Sequence, residues 1–428
     1  MVMSGTTAIE MGITVFAALM LVAQLLAIRL RIPYTLVLVF IGIAITAVSA
    51  LSLGAGPIAG SLVGAITLIR SIYGQLVDNG IFVGLIVPPL IFEAMMHIKR
   101  SELAAVIRPS LVLATVGVLL STVVAGLVVW ELSGISLYSA MLFAAIIAPT
   151  DTITVLQIFR RVKVPPKLAT LMDMEAAFND ATAIVLFTII LSSAGLAGAS
   201  LLNDVDVFLY SFVGGVIIGV IVAVLARKIH MSVDDKLAEL TLTIVAVYGS
   251  YVLATGVGAS GLIAVAIVGL YFGNSTKMAL SRKVRSSIAS FWEIAAFIGN
   301  AVAFLLIGFD SNLSLFVKAG ALILVAYGST LLARMVTVYP IFAVFSRVGK
   351  RLSMDWSNIA TLGGVRGALS IALLATLASS NVLSDGDLST VTTMVLGVVF
   401  ISIIIQVPLL SRYASRQFGR RSKPEDSQ

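Results

Sequence analysis

Cysteine is absent from this 428-residue sequence, and histidine occurs only twice. Without these residues the chain has no disulfide frame, no thiol nucleophile and no cysteine or histidine cluster for zinc, copper or haem. Charged residues are scarce too, at 11% of the chain, whereas 59% of the residues are hydrophobic. A soluble globular protein carries roughly 25% charged residues. The composition therefore excludes a soluble enzyme and a disordered chain, and it indicates a polytopic membrane protein.

Long apolar runs fill the chain from end to end. Because a spanning helix needs about 20 apolar residues, the sequence predicts an all-α membrane protein with about thirteen transmembrane helices in a single transporter domain, residues 1–428. The first span has no small-residue cleavage site after it, so it is expected to be a retained helix. The stretch 57–76 contains Arg70 and is expected to lie at the outer membrane interface. The predicted spans run roughly over 11–28, 33–52, 79–97, 109–130, 137–158, 168–191, 206–226, 237–254, 260–273, 287–309, 315–340, 357–378 and 389–411.

The basic residues predict the orientation of these spans. All but four of the 28 Lys and Arg residues fall in alternate loops, the exceptions being Arg70, Lys318, Arg334 and Arg366. Because cytoplasmic loops carry the excess of Lys and Arg, the N-terminus is expected outside and the C-terminus inside the cell. Residues 412–428 then form a short basic cytoplasmic tail. The net charge of +7 belongs to these loops and gives no reason to expect a nucleic-acid partner.

Two spans are interrupted near their middle. Ala148-Pro149-Thr150-Asp151 breaks the fifth span, because proline removes a helical N–H and clashes with the preceding turn. Gly363-Gly364-Val365-Arg366-Gly367 breaks the twelfth span, about half the chain further on. Paired interruptions at matching places in two halves indicate inverted repeats with an ion site near the bilayer midplane. The expected repeats are 11–191 and 237–411, joined by a linker helix at 206–226, with the two broken helices crossing.

Acidic residues are concentrated in the fifth and sixth spans. Ionisable groups at this depth cost several kcal/mol and are functional candidates by default. Asp180 is the strongest candidate because it is far from the loop and Phe178, Ile184 and Val185 surround it. The available oxygen ligands suit Na⁺, Li⁺, Mg²⁺, Ca²⁺ or protons rather than soft metals, and they belong to Asp151, Asp180, Thr150 and Asn179.

Two arginines also lie within predicted spans. Arg366 sits in the glycine-rich break, where an unpaired arginine would be too costly, so it is expected to pair with Glu175 or Asp151. Glu175 is favoured as its partner in a structural ion pair. Arg334 is expected nearer the cytoplasmic end of its span, with its guanidinium group reaching the membrane surface.

In the order and spacing of these motifs, the sequence resembles the monovalent cation/proton antiporters of the sodium/proton exchanger family, in the NhaP-type branch. The resemblance covers nearly the whole chain, and its strongest parts are Ala148-Pro149-Thr150-Asp151, Glu175 with Asn179-Asp180, Phe291-Trp292-Glu293 with Asn300, and Gly364-Val365-Arg366-Gly367-Ala368-Leu369-Ser370. It implies that Asp180 exchanges cation and proton beside Asn179, that Thr150 and Asp151 complete the Na⁺ site, and that Glu175 pairs with Arg366. It further implies electroneutral exchange and a homodimer with a moving core, without a cofactor or covalent chemistry.

The expected function is therefore secondary antiport of Na⁺ or Li⁺ against H⁺ by alternating access in the cell membrane. Three alternatives remain at this point: K⁺/H⁺ antiport at the same site, a cation channel, and a sodium-coupled organic anion symporter. A channel needs a continuous pore, whereas the acids here cluster in neighbouring spans, and an acid-rich centre disfavours an anionic substrate. ATP-driven transport is not expected, because no G-x-x-x-x-G-K-[ST] loop occurs.

Overall fold

The structure is a computed structural model, and the residues it describes are almost entirely helical, with no strand among them. The predicted interfacial stretch 57–76, Gly64 aside, and the end of the basic tail lie outside the described residues. The described ranges are 5–30, 32, 34–51, 64, 81–98, 100–192, 201–230, 235–275, 282–310, 319–348, 352–380 and 382–418.

Each predicted span corresponds to one helix in these ranges, except that the fifth and the twelfth each correspond to two half-helices. The predicted first repeat covers α1 (Gly5–Leu30), α2 (Tyr34–Leu51), α3 (Ile81–His97), α4 (Arg100–Val112, a π turn at Leu113–Gly117, then Val118–Ser133), α5a (Leu137–Ile147), α5b (Thr152–Val162) and α6 (Pro166–Ser192). The predicted linker helix corresponds to α7 (Leu201–His230).

The predicted second repeat follows the same order. It contains α8 (Lys236–Gly256), α9 (Gly261–Ser275), α10 (Arg282–Asp310), α11 (Gly320–Arg347), α12a (Ser357–Leu362), α12b (Ala368–Ser379) and α13 (Asp385–Ile401, a π turn at Ser402–Gln406, then Val407–Phe418). Helix α13 therefore continues into the predicted tail as far as Phe418. Within the described residues, seven helices are long and apolar enough to cross a membrane, and five shorter ones are apolar. The predicted fold class is confirmed.

The helices pack as two bundles. Helices α4, α5, α6, α11, α12 and α13 pack on one another and include both broken helices; we call them the crossing bundle. Helices α1, α2, α3, α8, α9 and α10 form the flanking bundle, and α7 packs mainly on α8 and α9. The two bundles meet where α6 contacts α3 and α9, and where α12b contacts α3 and α10.

The packing inside the flanking bundle also relates the two halves of the chain. Helix α2 packs closely on α10, and α3 packs closely on α9. If α1–α6 are matched in order to α8–α13, α2 corresponds to α9 and α3 corresponds to α10. The contact between α2 and α10 then corresponds to the contact between α9 and α3. This exchange is the pattern expected of two repeats related by a twofold axis.

The contact between α3 and α9 depends on small residues. A Cβ at Gly273 would lie 2.1 Å from the Met96 carbonyl oxygen, and one at Gly269 would lie 2.8 Å from the Met95 Cβ. Glycine therefore allows the two backbones to touch, as is common between membrane helices. The contact holds α3 in place, and α3 forms one wall of the cavity described next.

Candidate cation-binding site

The two helix breaks meet directly. The Asp151 backbone N–H donates to the Val365 carbonyl over 2.7 Å, which joins the break between α5a and α5b to the break between α12a and α12b. Gly367 comes so close that a Cβ on it would lie 2.5 Å from the Asp151 Cβ. The predicted crossing of the two broken helices is therefore present, and a glycine at 367 is a steric requirement for it.

Arg366 binds the carbonyl groups that the first break sets free. Its Nη1 donates to the Ala148 carbonyl over 2.7 Å and to the Pro149 carbonyl over 3.1 Å. These oxygens stand at the C-terminal end of α5a, where the helix dipole is negative and the carbonyls have no intrahelical donor. The buried guanidinium group thus satisfies the end of a half-helix, which explains its place at the crossing.

The buried ion pair differs from the predicted one. Arg334 and Glu175 form a bidentate ion pair. The Arg334 Nη1 contacts the Glu175 Oε1, and its Nη2 donates to the Oε2 over 2.9 Å. Glu175 is fully buried and Arg334 is 7% exposed, so Arg334 does not reach the membrane surface. The predicted pair of Glu175 with Arg366 is therefore wrong in its cation, because Arg366 is engaged by the α5a carbonyls.

Arg334 also caps the other half-helix. Its Nη2 donates to the Ala360 carbonyl over 3.1 Å, near the C-terminal end of α12a. Arg334 lies near the middle of α11, Gly320–Arg347, rather than near its end, and its side chain is buried against α12a. The central position outweighs the tendency of arginine to extend toward an interface.

A cavity opens beside the crossing, and three of the four predicted oxygen ligands line it. Asp180 from α6 and Asp151 and Thr150 from the first break line it. Its remaining polar lining comes from Asn300 on α10 and Ser370 on α12b. The Asp180 carboxylate makes no hydrogen bond to the described part of the chain, so its oxygens are available to a cation or a proton. Two carboxylates in one low-dielectric cavity repel each other unless a cation or a proton is bound.

Asn179 lies behind the cavity rather than in its lining. It is fully buried, and its Nδ2 donates to the Thr150 Oγ1 over 2.8 Å, while its Oδ1 has no hydrogen-bond partner among the described residues. The predicted site residues Asp180, Asp151 and Thr150 are therefore brought together directly. Asn179 contacts the site through Thr150.

A chain of hydroxyl groups supports Asp151. The Thr154 Oγ1 donates to the Asp151 Oδ2 over 2.8 Å, and Thr35 on α2 lies 2.9 Å from the same Thr154 oxygen. Neither threonine was among the site residues predicted from sequence, and Asn300 and Ser370 appeared there only as parts of motifs. The spacing of Asp151 and Thr154, three residues apart at a helix start, was a usable signal, since such positions share a helix face.

Acids outside the cavity have other surroundings. Asp173 on α6 does not line the cavity, and the Glu93 carboxylate on α3 lies 3.4 Å from the Nδ1 of His97, one turn further along. Among the acids of α6, Asp180 lines this cavity, whereas Asp173 and Glu175 do not.

Known membrane transporters are similar to this chain in sequence. Residues 15–416 match the transmembrane region of the sodium/hydrogen exchanger family. The Na⁺/H⁺ antiporter ApNhaP of Aphanothece halophytica is 31% identical over 380 residues, 88% of this chain and 68% of that protein. The Na⁺/H⁺ antiporter NhaP of Pseudomonas aeruginosa is 32% identical over 333 residues, 74% of this chain and 77% of that protein.

A solved structure gives the same answer for the fold. The sodium proton antiporter MjNhaP1 from Methanocaldococcus jannaschii superimposes with a TM-score of 0.73 at 22% identity, over 96% of this chain and 100% of that one. The resemblance inferred from the motifs is thus confirmed by sequence and by fold. The chain belongs to the sodium/hydrogen exchanger family of membrane transporters, together with the NhaP antiporters.

Proposed function

We propose that this protein is a Na⁺/H⁺ antiporter in which Na⁺ and H⁺ compete for the Asp180 carboxylate. One observation carries the proposal: Asp180, with no hydrogen bond in the described chain, shares a cavity with Asp151 and Thr150 at the crossing of two broken helices. Family membership and the names of the relatives support the same function. Carboxylate and hydroxyl oxygens are hard ligands that suit Na⁺ or Li⁺.

Exchange at one carboxylate defines the mechanism. A Na⁺ ion entering the cavity displaces the proton from Asp180, and a proton arriving later displaces the ion. Asp151 keeps its hydrogen bond from Thr154 and contributes charge to the site throughout. Since the loaded site has the same charge with either cargo, the exchange is electroneutral. Movement of the crossing bundle against the flanking bundle would expose the cavity to each side in turn.

The membrane setting is proposed on separate grounds. The alternation of basic loops supports a cell-membrane location with the N-terminus outside and the C-terminus in the cytoplasm. The family resemblance supports a homodimer.

Because the chain has no cysteine, single cysteines at Lys163 and Asp204 can be labelled from outside in intact cells. Labelling of Asp204→Cys alone is expected, and labelling of Lys163→Cys alone would reverse the orientation.

Proteoliposomes with an imposed pH gradient test the function itself. Wild-type protein should dissipate the gradient when Na⁺ or Li⁺ is added. Asp180→Asn should abolish this activity while the protein still folds, because it removes the charge and the proton site but keeps the shape. Asp173→Asn is the matched control: it removes an acid from the same helix but outside the cavity, and it should retain exchange.

Other outcomes have defined meanings. Activity with K⁺ but not with Na⁺ would favour the K⁺/H⁺ alternative at the same site. Retained exchange by Asp180→Asn would move the site elsewhere, with Asp151 as the next carboxylate in the cavity. Current through the wild-type protein without proton movement would indicate a channel.

The pH dependence provides a second test. If one proton competes with Na⁺, lowering the pH fills the site with protons, so the apparent KM for Na⁺ must rise as pH falls. The rise approaches about tenfold per pH unit where the proton-bound form dominates. A KM for Na⁺ that does not change with pH would refute competition even if Asp180 proved essential.

A further inference from the structure

Ser370 has a buried hydroxyl group that the described structure leaves without a partner. It is the third residue of α12b, directly after the second break, and its side chain is 1% exposed. The Oγ makes no hydrogen bond to any described residue. Buried hydroxyl groups in proteins nearly always have a partner, so a ligand that is absent from the protein chain itself is the natural candidate.

The location of this hydroxyl group identifies the ligand class. Ser370 lines the same cavity as Asp180, Asp151 and Thr150, but it comes from the second repeat, whereas those three belong to the first. A cation that leaves water for this cavity must replace its hydration oxygens with protein oxygens. The neighbouring Thr150 hydroxyl already accepts a hydrogen bond from Asn179, whereas the Ser370 oxygen is uncommitted within the described chain.

We propose that the Ser370 Oγ is a direct ligand of the transported cation, completing from the second repeat the site that Asp180 and Asp151 form in the first. This inference rests on the proposed function, since it assumes that the cation binds at Asp180. A hydroxyl group suits a site that alternates between two cargoes. Its lone pairs coordinate Na⁺, and its proton can be donated to a neighbouring oxygen when the cation has left.

Ala176 provides the means of a sharp test. It also lines the cavity and lies one helical turn before Asp180, at i and i+4 on the same face of α6. It has no polar atom, so Ala176→Ser would bring a hydroxyl group to the same cavity from a different helix. A lost ligand at 370 can then be replaced without restoring the original residue.

The experiment compares the wild type with Ser370→Ala, Ser370→Thr, Ala176→Ser and the double variant Ser370→Ala with Ala176→Ser in proteoliposomes. Ser370→Ala should raise the KM for Na⁺ by roughly tenfold, the effect of losing an interaction of hydrogen-bond strength. Its maximal rate should stay within about twofold of the wild type, because the exchanging carboxylate is intact. Ser370→Thr should keep the KM, and the double variant should recover part of the loss. Titration of Na⁺ into the purified proteins should give the same order of affinities.

Each other outcome overturns the inference. An unchanged KM in Ser370→Ala, with wild-type exchange intact, would remove Ser370 from the site and leave the proposed function standing. A large fall in melting temperature of Ser370→Ala without added Na⁺ would mean that the hydroxyl group has a structural role. A wild-type protein without Na⁺-dependent exchange would refute the proposed function itself, and the ligand assignment with it.

Discussion

The two helix breaks are capped in the same way and carry groups of opposite charge. In α5 the break carries Asp151 and Thr150, whereas in α12 it carries glycines and Arg366. In each case the carbonyl groups at the end of the first half-helix are bound by an arginine: Arg366 for α5a and Arg334 for α12a. The backbone framework is thus repeated, while the charged groups are divided between the two copies.

The same division extends to the helices that follow the breaks. Helix α6 carries the buried Glu175 and the cavity-lining Asp180. The corresponding helix in the second half of the chain, α13, presents buried apolar residues in its first part, among them Val391, Met394 and Val395, and no acid among the buried residues of its later parts. The carboxylates that line the cavity therefore come from the first half of the chain, and the arginines Arg334 and Arg366 come from the second. The second half does contain a buried acid, Glu239 on α8, but Glu239 does not line this cavity.

The largest predicted effect comes from removing the arginine that pairs with an acid. Arg334→Ala leaves Glu175 charged and unpaired in the interior, which should cost about 3–5 kcal/mol and greatly reduce the yield of folded protein. Arg366→Ala removes a donor to two carbonyl groups and strands no buried carboxylate, so its loss of stability should be smaller. Melting temperatures in detergent, measured side by side, compare the two arginines.

Glu175→Gln distinguishes the arginine that pairs with Glu175 from the arginine that binds the α5a carbonyl groups. In the Arg334→Ala background it removes the unpaired charge, so it should recover much of the lost stability. In the Arg366→Ala background it should recover none, because Glu175 keeps its pairing with Arg334. Rescue of Arg366→Ala instead would restore the pair predicted from sequence and contradict the arrangement described here.

Much of this arrangement could be predicted from sequence, for reasons that are physical. The breaks are visible because proline and clustered glycines interrupt apolar runs, and Asp180 is visible because an acid in such a run is costly. The partner of Glu175 was not predictable in this way. Two arginines were available, and the choice depends on which guanidinium group the freed α5a carbonyls engage, a contact between residues more than 200 positions apart. The oxygens of Ser370 and Asn300 were missed because serine and asparagine inside a membrane helix are common and mostly structural.

The second prediction concerns the closest approach of the two breaks. Gly367→Ala places a Cβ about where the Asp151 side chain begins, at 2.5 Å from its Cβ, so the crossing must widen. Overpacking of this kind should cost about 1–3 kcal/mol and displace Asp151 from the cavity, lowering the transport rate as well. Gly328→Ala is the matched control in the crossing bundle, since a Cβ there meets nothing within 4 Å. Equal melting temperatures for the two variants would show that the breaks approach less closely than described.

The smallest predicted effect concerns support that the first break receives from the flanking bundle. Because the Thr154 proton is already donated to Asp151, Thr35 is the donor in the contact between the two threonines. This hydrogen bond joins α2 to α5b, so it must break if the two bundles slide past each other. Thr35→Val keeps the shape and removes the donor, at a cost of about 1 kcal/mol to the arrangement described here. A difference of about 1 kcal/mol changes the population ratio of two conformations about fivefold, so the maximal exchange rate should change while the KM for Na⁺ stays close to the wild-type value.

A double-mutant cycle with Thr154→Val tests whether the two hydroxyl groups interact. Coupling of about 0.5–1 kcal/mol in melting experiments is expected for residues in contact, and additive losses would mean that the two hydroxyl groups act independently.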